Sequence, residues 1–283
     1  YQLYAPAMSA RTLEHLAMET ALRKGLERDE FLVYFQPIVD TEGRLCGAEA
    51  LLRWRHPEMG IILPSDFIPL AEETGLINPI GEVVLRSVCR TIRGWREAGL
   101  DGTNVAVNIS ARQFAQDDFL SRVSTILEEE DVPASCLTFE LTESLLMDDA
   151  IRTIKMLEAI RAMGIDISVD DFGIGYSSLN YLKRFPINKL KVDRAFIRGI
   201  AKEGEDAAIV SAVIGLSHSL RMQVVAEGVE EEAQVEFLRK SQCELLQGFF
   251  YGRPMPEEEF ASAYMLPEQG GAVARGGEQK PRR

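Results

Sequence analysis

Short apolar, partly β-branched segments alternate along this chain with longer stretches of helical hydrophobic period, and that alternation constrains its fold more than any other feature. Eight such segments stand out: Phe31 to Pro37, Leu45 to Arg53, Asn104 to Ile109, Leu137 to Leu141, Ile165 to Asp170, Lys189 to Asp193, Gln223 to Glu227 and Glu244 to Gly248. Most are separated by helical patterns, among them Pro79 to Ala98, Asp117 to Asp131, Asp148 to Met163, Asp206 to Leu220 and Glu230 to Lys240. Buried strands joined by helices are βα units, and eight of them predict an α/β fold, a (β/α)8 barrel. The first two segments are joined by Asp40-Thr41-Glu42-Gly43, too short for a crossover helix, so an antiparallel first strand and an irregular start to the barrel are expected. Gly75 and Gly164 fall where helices should stop, and Asp148 and Asp206 where helix starts need caps.

A chain of 283 residues with 46% hydrophobic content is long enough for one such domain. We place it at residues 20–266, with 1–19 as a linker or helix from an upstream domain and 267–283, rich in Gly, Arg, Lys and Gln, as a flexible tail. No apolar run reaches the roughly 18 residues of a membrane span, and no secretory leader pattern is present, so a cytoplasmic domain is expected, compatible with a membrane anchor elsewhere in a parent protein. The cysteines Cys46, Cys89, Cys136 and Cys243 lack metal-binding or disulfide spacing and read as reduced, mostly buried thiols. A net charge of −13 excludes a general basic surface for a nucleic acid polymer, so any anionic substrate must be held locally.

Seven of the eight segments carry a charged or metal-capable residue within them or at their C-terminal ends: Glu49 in the second, Asn108 in the third, Glu140 in the fourth, Asp170-Asp171 ending the fifth, Lys191 and Asp193 on the sixth, Glu227 ending the seventh and Gln247 ending the eighth. In a parallel barrel these ends converge on one mouth, where such folds hold their active sites. Carboxylate and amide oxygens without His or Cys suit Mg²⁺ or Mn²⁺ better than zinc or copper. The adjacent Asp170 and Asp171 are placed to bridge two such ions, an arrangement that serves phosphodiester hydrolysis. Lys191, flanked by acids, should stay cationic and hold an attacking hydroxide or a phosphate oxygen.

From about Thr20 to Glu259 the chain resembles the EAL-domain cyclic di-GMP phosphodiesterases. The naming triplet stands as Glu49-Ala50-Leu51, and further matching stretches are Tyr34-Phe35-Gln36-Pro37-Ile38, Asn108-Ile109-Ser110, Glu140-Leu141-Thr142-Glu143, Asp170-Asp171-Phe172-Gly173, Lys191-Val192-Asp193, Ala226-Glu227-Gly228-Val229-Glu230 and Gln247-Gly248. The resemblance implies a TIM-like barrel, two Mg²⁺ or Mn²⁺ ions per active site, and hydrolysis of cyclic di-GMP to linear pGpG. It implies Glu49, Asn108, Glu140 and Asp170 as ligands of one metal and Asp170 and Asp171 as ligands of the second, with Glu227 nearby. Lys191, Glu227, Glu49 and Asp171 take catalytic places; Gln36, Arg53, Asp193 and Gln247 contact the substrate; Glu143 steadies the loop after Asp171. The family also implies a homodimer through helices following the fifth and sixth strands, and the N-terminal segment resembles the junction after a GGDEF domain, which implies upstream sensory and GGDEF parts. One position departs from the pattern: Ile174 stands where active members carry Thr or another small residue, which motivates an alternative reading as a catalytically weak cyclic di-GMP sensor. An enolase-like proton abstractor with Lys191 as base is disfavoured by the Asn-Ile-Ser and Gln-Gly segments.

Taken singly, Asp193 and Glu143 read as structural salt-bridge partners rather than catalysts, His56 as a surface or loop-packing residue, and His15 and His218 as helix-face residues. The run Glu128 to Asp131 reads as a solvated helix end and Glu257 to Glu259 as a helix start. Phe249, Phe250 and Tyr251 are open to stacking on guanine or to core packing.

Overall fold

Two long strands, β1 (Phe31–Asp40) and β2 (Leu45–His56), form the antiparallel hairpin that the short turn requires. Asp40 shapes that turn by accepting the backbone N–H groups of Glu42 and Arg44, each at 2.9 Å. The structure is a computed structural model and describes residues 6–100, 102–147, 150–173, 182–201 and 204–265. From β2 the sheet continues in parallel through β4 (Asn104–Asn108), β5 (Leu137–Thr142), β6 (Asp166–Phe172), β7 (Lys189–Val192), β8 (Gln223–Ala226) and β9 (Leu245–Gln247). Strand β1 then pairs antiparallel with β9 as well as with β2, which closes an eight-stranded barrel. The expected barrel and its antiparallel first strand are both present.

A ninth strand among the described residues, β3 (Gly60–Ile62), lies outside the ring on β2. It is followed by α2 (Pro64–Thr74), and neither element is anticipated by the sequence reading. Two prolines mask α2. Pro64 occupies the first turn, where a missing N–H costs nothing, and Pro69 lies inside the helix, where a proline is ordinarily a breaker. Gly75 ends α2 with φ 79°, its N–H bonded to the Glu72 carbonyl, as its position in the sequence indicated.

The remaining α-helices among the described residues are α1 (Pro6–Glu27), α3 (Ile77–Glu97), α4 (Ala111–Phe114), α5 (Phe119–Glu129), α6 (Glu143–Met147), α7 (Ala150–Ala162), α8 (Arg194–Ile197), α9 (Glu205–Ser219), α10 (Glu232–Lys240) and α11 (Glu257–Tyr264). Gly164 follows α7, donating to the Arg161 carbonyl at 3.0 Å, and α11 starts at the acidic triplet. Asp206 does not cap α9: Gly204 holds that position, and Asp206 sits in the first turn beside Glu205, where negative charge favours the helix dipole. Asp148 lies outside the described residues. The acidic run ending α5 is not simply solvated either. Glu130 is 6% exposed and accepts hydrogen bonds from Arg90 at 3.0 Å and Arg93 at 3.2 Å, so α3 docks on α5 through a buried carboxylate.

Aromatic packing fixes the hairpin side of the barrel. Trp54 is fully buried, with ring centroids 5.8 Å from Phe31 and 5.6 Å from Phe67 of α2, and its Nε1–H donates to Glu30 at 3.0 Å. Phe35 of β1, Trp95 of α3 and Phe260 of α11 form a second cluster at 5.2 and 5.5 Å spacings, tying the last helix to the first strand. No helix among the described residues is long and apolar enough to cross a membrane.

Candidate active site

Strand pleating decides which side chains reach the barrel mouth. On β2, Glu49, Leu51 and Arg53 share a face, and parallel register sets Asn108 beside Glu140 and Thr142 beside Asp170. Gln36 on β1 pairs with Glu49 across the antiparallel ladder.

Gln247 joins these strands. Its amide donates to Glu49 Oε2 at 2.6 Å and to Gln36 Oε1 at 3.1 Å, while Gln36 donates to the Gly252 carbonyl at 3.0 Å. Asn108 Nδ2 donates to the other Glu49 oxygen at 2.8 Å. Both carboxylate oxygens of Glu49 are therefore held by amides. The residue after Gln247 must be small, because a Cβ on Gly248 would collide with the Val229 backbone, whose N–H bonds to the Gln247 carbonyl at 3.0 Å.

Lys191 is the hub. Only 1% of its side chain is exposed, and Nζ lies 2.6 Å from Glu227, 2.9 Å from Glu140, 3.5 Å from Glu49 and 3.6 Å from Asp170. Burial alone would discharge the amine, but the carboxylates around it outweigh burial and hold its pKa well above the ordinary lysine value. For Glu49, burial acts upward, yet Lys191 and the amide donors prevail and hold it below the ordinary value. Glu140 is pushed well above it by burial and by Glu49, and Glu227 is pushed up to about 7 by burial, with Lys191 opposing. The cause is arithmetic: one ammonium faces four carboxylates.

Asp170 and Asp171 stand where β6 ends. Asp170 Oδ1 accepts the Asp171 N–H at 2.8 Å, and Asp171 adopts φ 57°, a left-handed conformation uncommon for a residue with a side chain. Its carboxyl is raised by partial burial, then by Asp170 and Asp193. Glu143, 4% exposed, accepts the Gly173 N–H at 3.1 Å, fastening the backbone just beyond the pair. Ile174 lies outside the described residues.

Two residues expected to touch substrate are not drawn into this ring. Arg53 is half-buried, lies 5.5 Å from the Tyr34 ring centroid and donates to the Leu52 carbonyl at 2.8 Å. Asp193 is not on a strand. It caps α8, accepting the Ala195 N–H at 2.7 Å, because β7 stops at Val192. His56 packs edge-on against Trp54 and accepts the Glu58 and Met59 N–H groups, a turn-forming role, and His218 lies 2.9 Å from Glu244.

The ring opens into a cleft of about 320 Å³ whose walls include Leu51, Arg194, Glu230, Phe249 and Pro254. Arg194 was missed by the sequence reading, although it stands one residue from Asp193; Glu230 was read only as part of a matching stretch and given no role. Phe249 is 47% exposed with the Arg253 guanidinium 4.1 Å above its ring, so core packing does not describe it.

The donor set fits hard divalent cations. It is all oxygen, carries more negative charge than Lys191 neutralises, and includes a buried Gln247 Oε1 without a hydrogen-bond partner. Among the described residues no three acidic side chains converge on a ready-made cage; they converge on the Lys191 ammonium instead.

Comparison with known proteins gives a consistent result. The EAL domain family matches residues 19–254. The bifunctional diguanylate cyclase/cyclic di-GMP phosphodiesterase MucR of Pseudomonas aeruginosa is 47% identical over 264 residues, covering 93% of this chain and 38% of that protein. The cyclic di-GMP phosphodiesterase PdeR of Escherichia coli is 39% identical over 262 residues, 93% of this chain and 40% of its own length. The chain thus spans well under half of these curated relatives. A solved structure of the PaMucR phosphodiesterase in complex with cyclic di-GMP superposes with TM-score 0.84 at 49% identity, over 86% of this chain and 99% of that one.

Proposed function

The chain belongs to the EAL domain family, and on that premise we propose that it hydrolyses cyclic di-GMP to linear pGpG with the help of two Mg²⁺ or Mn²⁺ ions. The observation that carries the reading is the Lys191 ring: four carboxylates from four strands or strand ends gathered on one ammonium, with amides holding Glu49, at the mouth of a closed barrel. Relatives with this domain are cyclic di-GMP phosphodiesterases, and a structural relative is a complex with that nucleotide.

Glu49, Asn108, Glu140 and Asp170 would hold one ion, and Asp170 and Asp171 the second, with Glu227 nearby. Bound there, divalent ions would polarise a phosphoryl oxygen and lower the pKa of a bound water. The chain's own groups do the positioning. Gln247 and Asn108 fix both oxygens of Glu49, so that carboxylate cannot rotate away. Lys191, cationic at neutral pH, donates to a water or phosphate oxygen over the ring. Glu227, with proton affinity near neutrality and 2.6 Å from Lys191, can take the proton that the attacking water loses. Water oxygen bonds to phosphorus, the phosphorus bond to the 3′ oxygen breaks, and that oxygen takes up a proton from solvent and leaves as a hydroxyl, which opens the ring. Gln36 lies beside Glu49, and Arg53 lies further along the same face of β2; both would contact the nucleotide, Arg53 through its guanidinium. Asp193 would act on substrate only indirectly, through its placement of α8.

The family reading extends to the parent protein. The bifunctional MucR supports upstream GGDEF and sensory parts, and the half-exposed Ile209 on α9 supports a homodimer through that helix, which sedimentation of wild type and Ile209→Glu would test. Nucleotide chromatography after incubation with cyclic di-GMP and either metal tests the activity itself, with Glu49→Ala as the control.

A further inference from the structure

Resting on the reading above, we infer that Arg194 holds the phosphate of the cyclic dinucleotide that is not being cleaved, and so sets specificity for a substrate with two phosphodiesters. Four carboxylates line the cleft, Glu49, Asp170, Glu227 and Glu230, against two cations, Lys191 and Arg194. Lys191 sits within the ring, at 2.6 and 2.9 Å from two carboxylates, and serves the reacting phosphate there. Arg194 lines the same cleft, is exposed, and makes no ion pair among the described residues. A guanidinium facing a cleft without a carboxylate partner keeps its donors for an anion that arrives with the ligand.

Its position is built in from three sides. Asp193 caps the turn that presents it, at 2.7 Å to the Ala195 N–H. Gly228, directly after Glu227, has φ 68°, and a Cβ there would strike Arg194 Cβ and stand 3.3 Å from Arg194 Cα. Gly173, two residues after Asp171, lies close to Phe196 on the same short helix: a Cβ would meet that ring at 3.1 Å. Gln234 of α10 donates to the Ile197 carbonyl at 3.1 Å. The backbone under Arg194 is therefore packed against both loops that carry carboxylates of the ring. The backbone that bears the guanidinium is thus anchored relative to the ring, as two-point recognition of a macrocycle requires.

The test compares wild type, Arg194→Gln and Arg194→Lys on cyclic di-GMP and on bis(p-nitrophenyl) phosphate, a diester with a single phosphate, under Mg²⁺ or Mn²⁺. Loss of one charge-assisted contact predicts that Arg194→Gln raises KM for cyclic di-GMP about tenfold or more, with kcat within about twofold and the single-phosphate substrate unaffected. Arg194→Lys should fall between the two, and the increase of KM with salt should be shallower in the Gln variant. An unchanged KM overturns the inference, as does an equal loss on both substrates, which would mark Arg194 as structural. If wild type cleaves the single-phosphate diester and leaves cyclic di-GMP intact, the substrate assignment itself fails and this inference falls with it.

Discussion

Lys191 Nζ stands 2.6 Å from Glu227 Oε1, joining the end of β7 to the loop after β8 and placing the ring's one cation against a carboxylate that burial pushes up to about 7. Removing that cation while keeping the methylene stem isolates its charge. Lys191→Met leaves Glu49, Glu140, Asp170 and Glu227 facing one another, so we predict at least a ~100-fold loss in kcat, about 2.7 kcal/mol of transition-state stabilisation. Steady-state kinetics at saturating metal check this. Retention of wild-type kcat would remove Lys191 from the chemistry.

Gln247 touches Glu49 without itself carrying charge. Gln247→Leu keeps the bulk and deletes both donated bonds, freeing Glu49 Oε2 and Gln36. Groups that orient metal ligands typically matter by roughly 10- to 100-fold in metal affinity or activity, and a loss in that range is expected in Mn²⁺ titrations followed by calorimetry. An unchanged metal isotherm would show that Glu49 needs no such support.

Glu143 is buried and accepts the Gly173 N–H. Glu143→Ala removes that acceptor, and hydrogen bonds to charged groups are typically worth about 1.5–3 kcal/mol. We expect faster amide exchange at Gly173 and lower activity, with exchange in the β2 and β5 amides preserved. Uniform acceleration across the barrel would mean that Glu143 supports the fold rather than one loop.

Trp54 knits β1, β2 and α2 together through Phe31 and Phe67. Trp54→Ala should cost about 3–5 kcal/mol, the range for deleting a large buried aromatic side chain. Urea denaturation measures it, and a loss under about 1 kcal/mol would contradict the packing described.

Thiol reactivity separates the cysteines. Burial pushes Cys89 and Cys243 up to about 12, so at pH 8 both remain almost wholly protonated, whereas Cys46 is exposed. Mass spectrometry after brief alkylation should find Cys46 modified and Cys89 and Cys243 intact until denaturant is added. The expectation of mostly buried thiols therefore holds for Cys89 and Cys243 but not for Cys46.

Much of this architecture is legible in the chain because a parallel barrel writes itself as a repeat: apolar strand, polar strand end, amphipathic helix. All eight barrel strands fall within a few residues of their sequence-derived limits, and Glu49, Glu140, Asp170, Lys191, Glu227 and Gln247 meet at one mouth. What escapes is non-periodic. Strand β3 is three residues long, α2 carries two prolines, and α4, α6 and α8 are single turns set by caps such as Ser110 and Asp193 rather than by hydrophobic period. Asp193 lies one residue past the end of β7, a boundary that composition does not define. Glu130 looked solvated because its partners Arg90 and Arg93 lie some 40 residues earlier, on another helix. Arg194 carries no local signal of its own, since its importance depends on the loops that Gly173 and Gly228 bring against it.

The central claim, that the Lys191 ring cleaves a cyclic dinucleotide, is tested most directly by nucleotide chromatography of cyclic di-GMP incubated with the protein and Mg²⁺ or Mn²⁺. The account predicts a single new peak of linear pGpG that requires the metal, disappears with chelator and is absent for Glu49→Ala. Unchanged cyclic di-GMP under both metals, or equal turnover by Glu49→Ala, would contradict it.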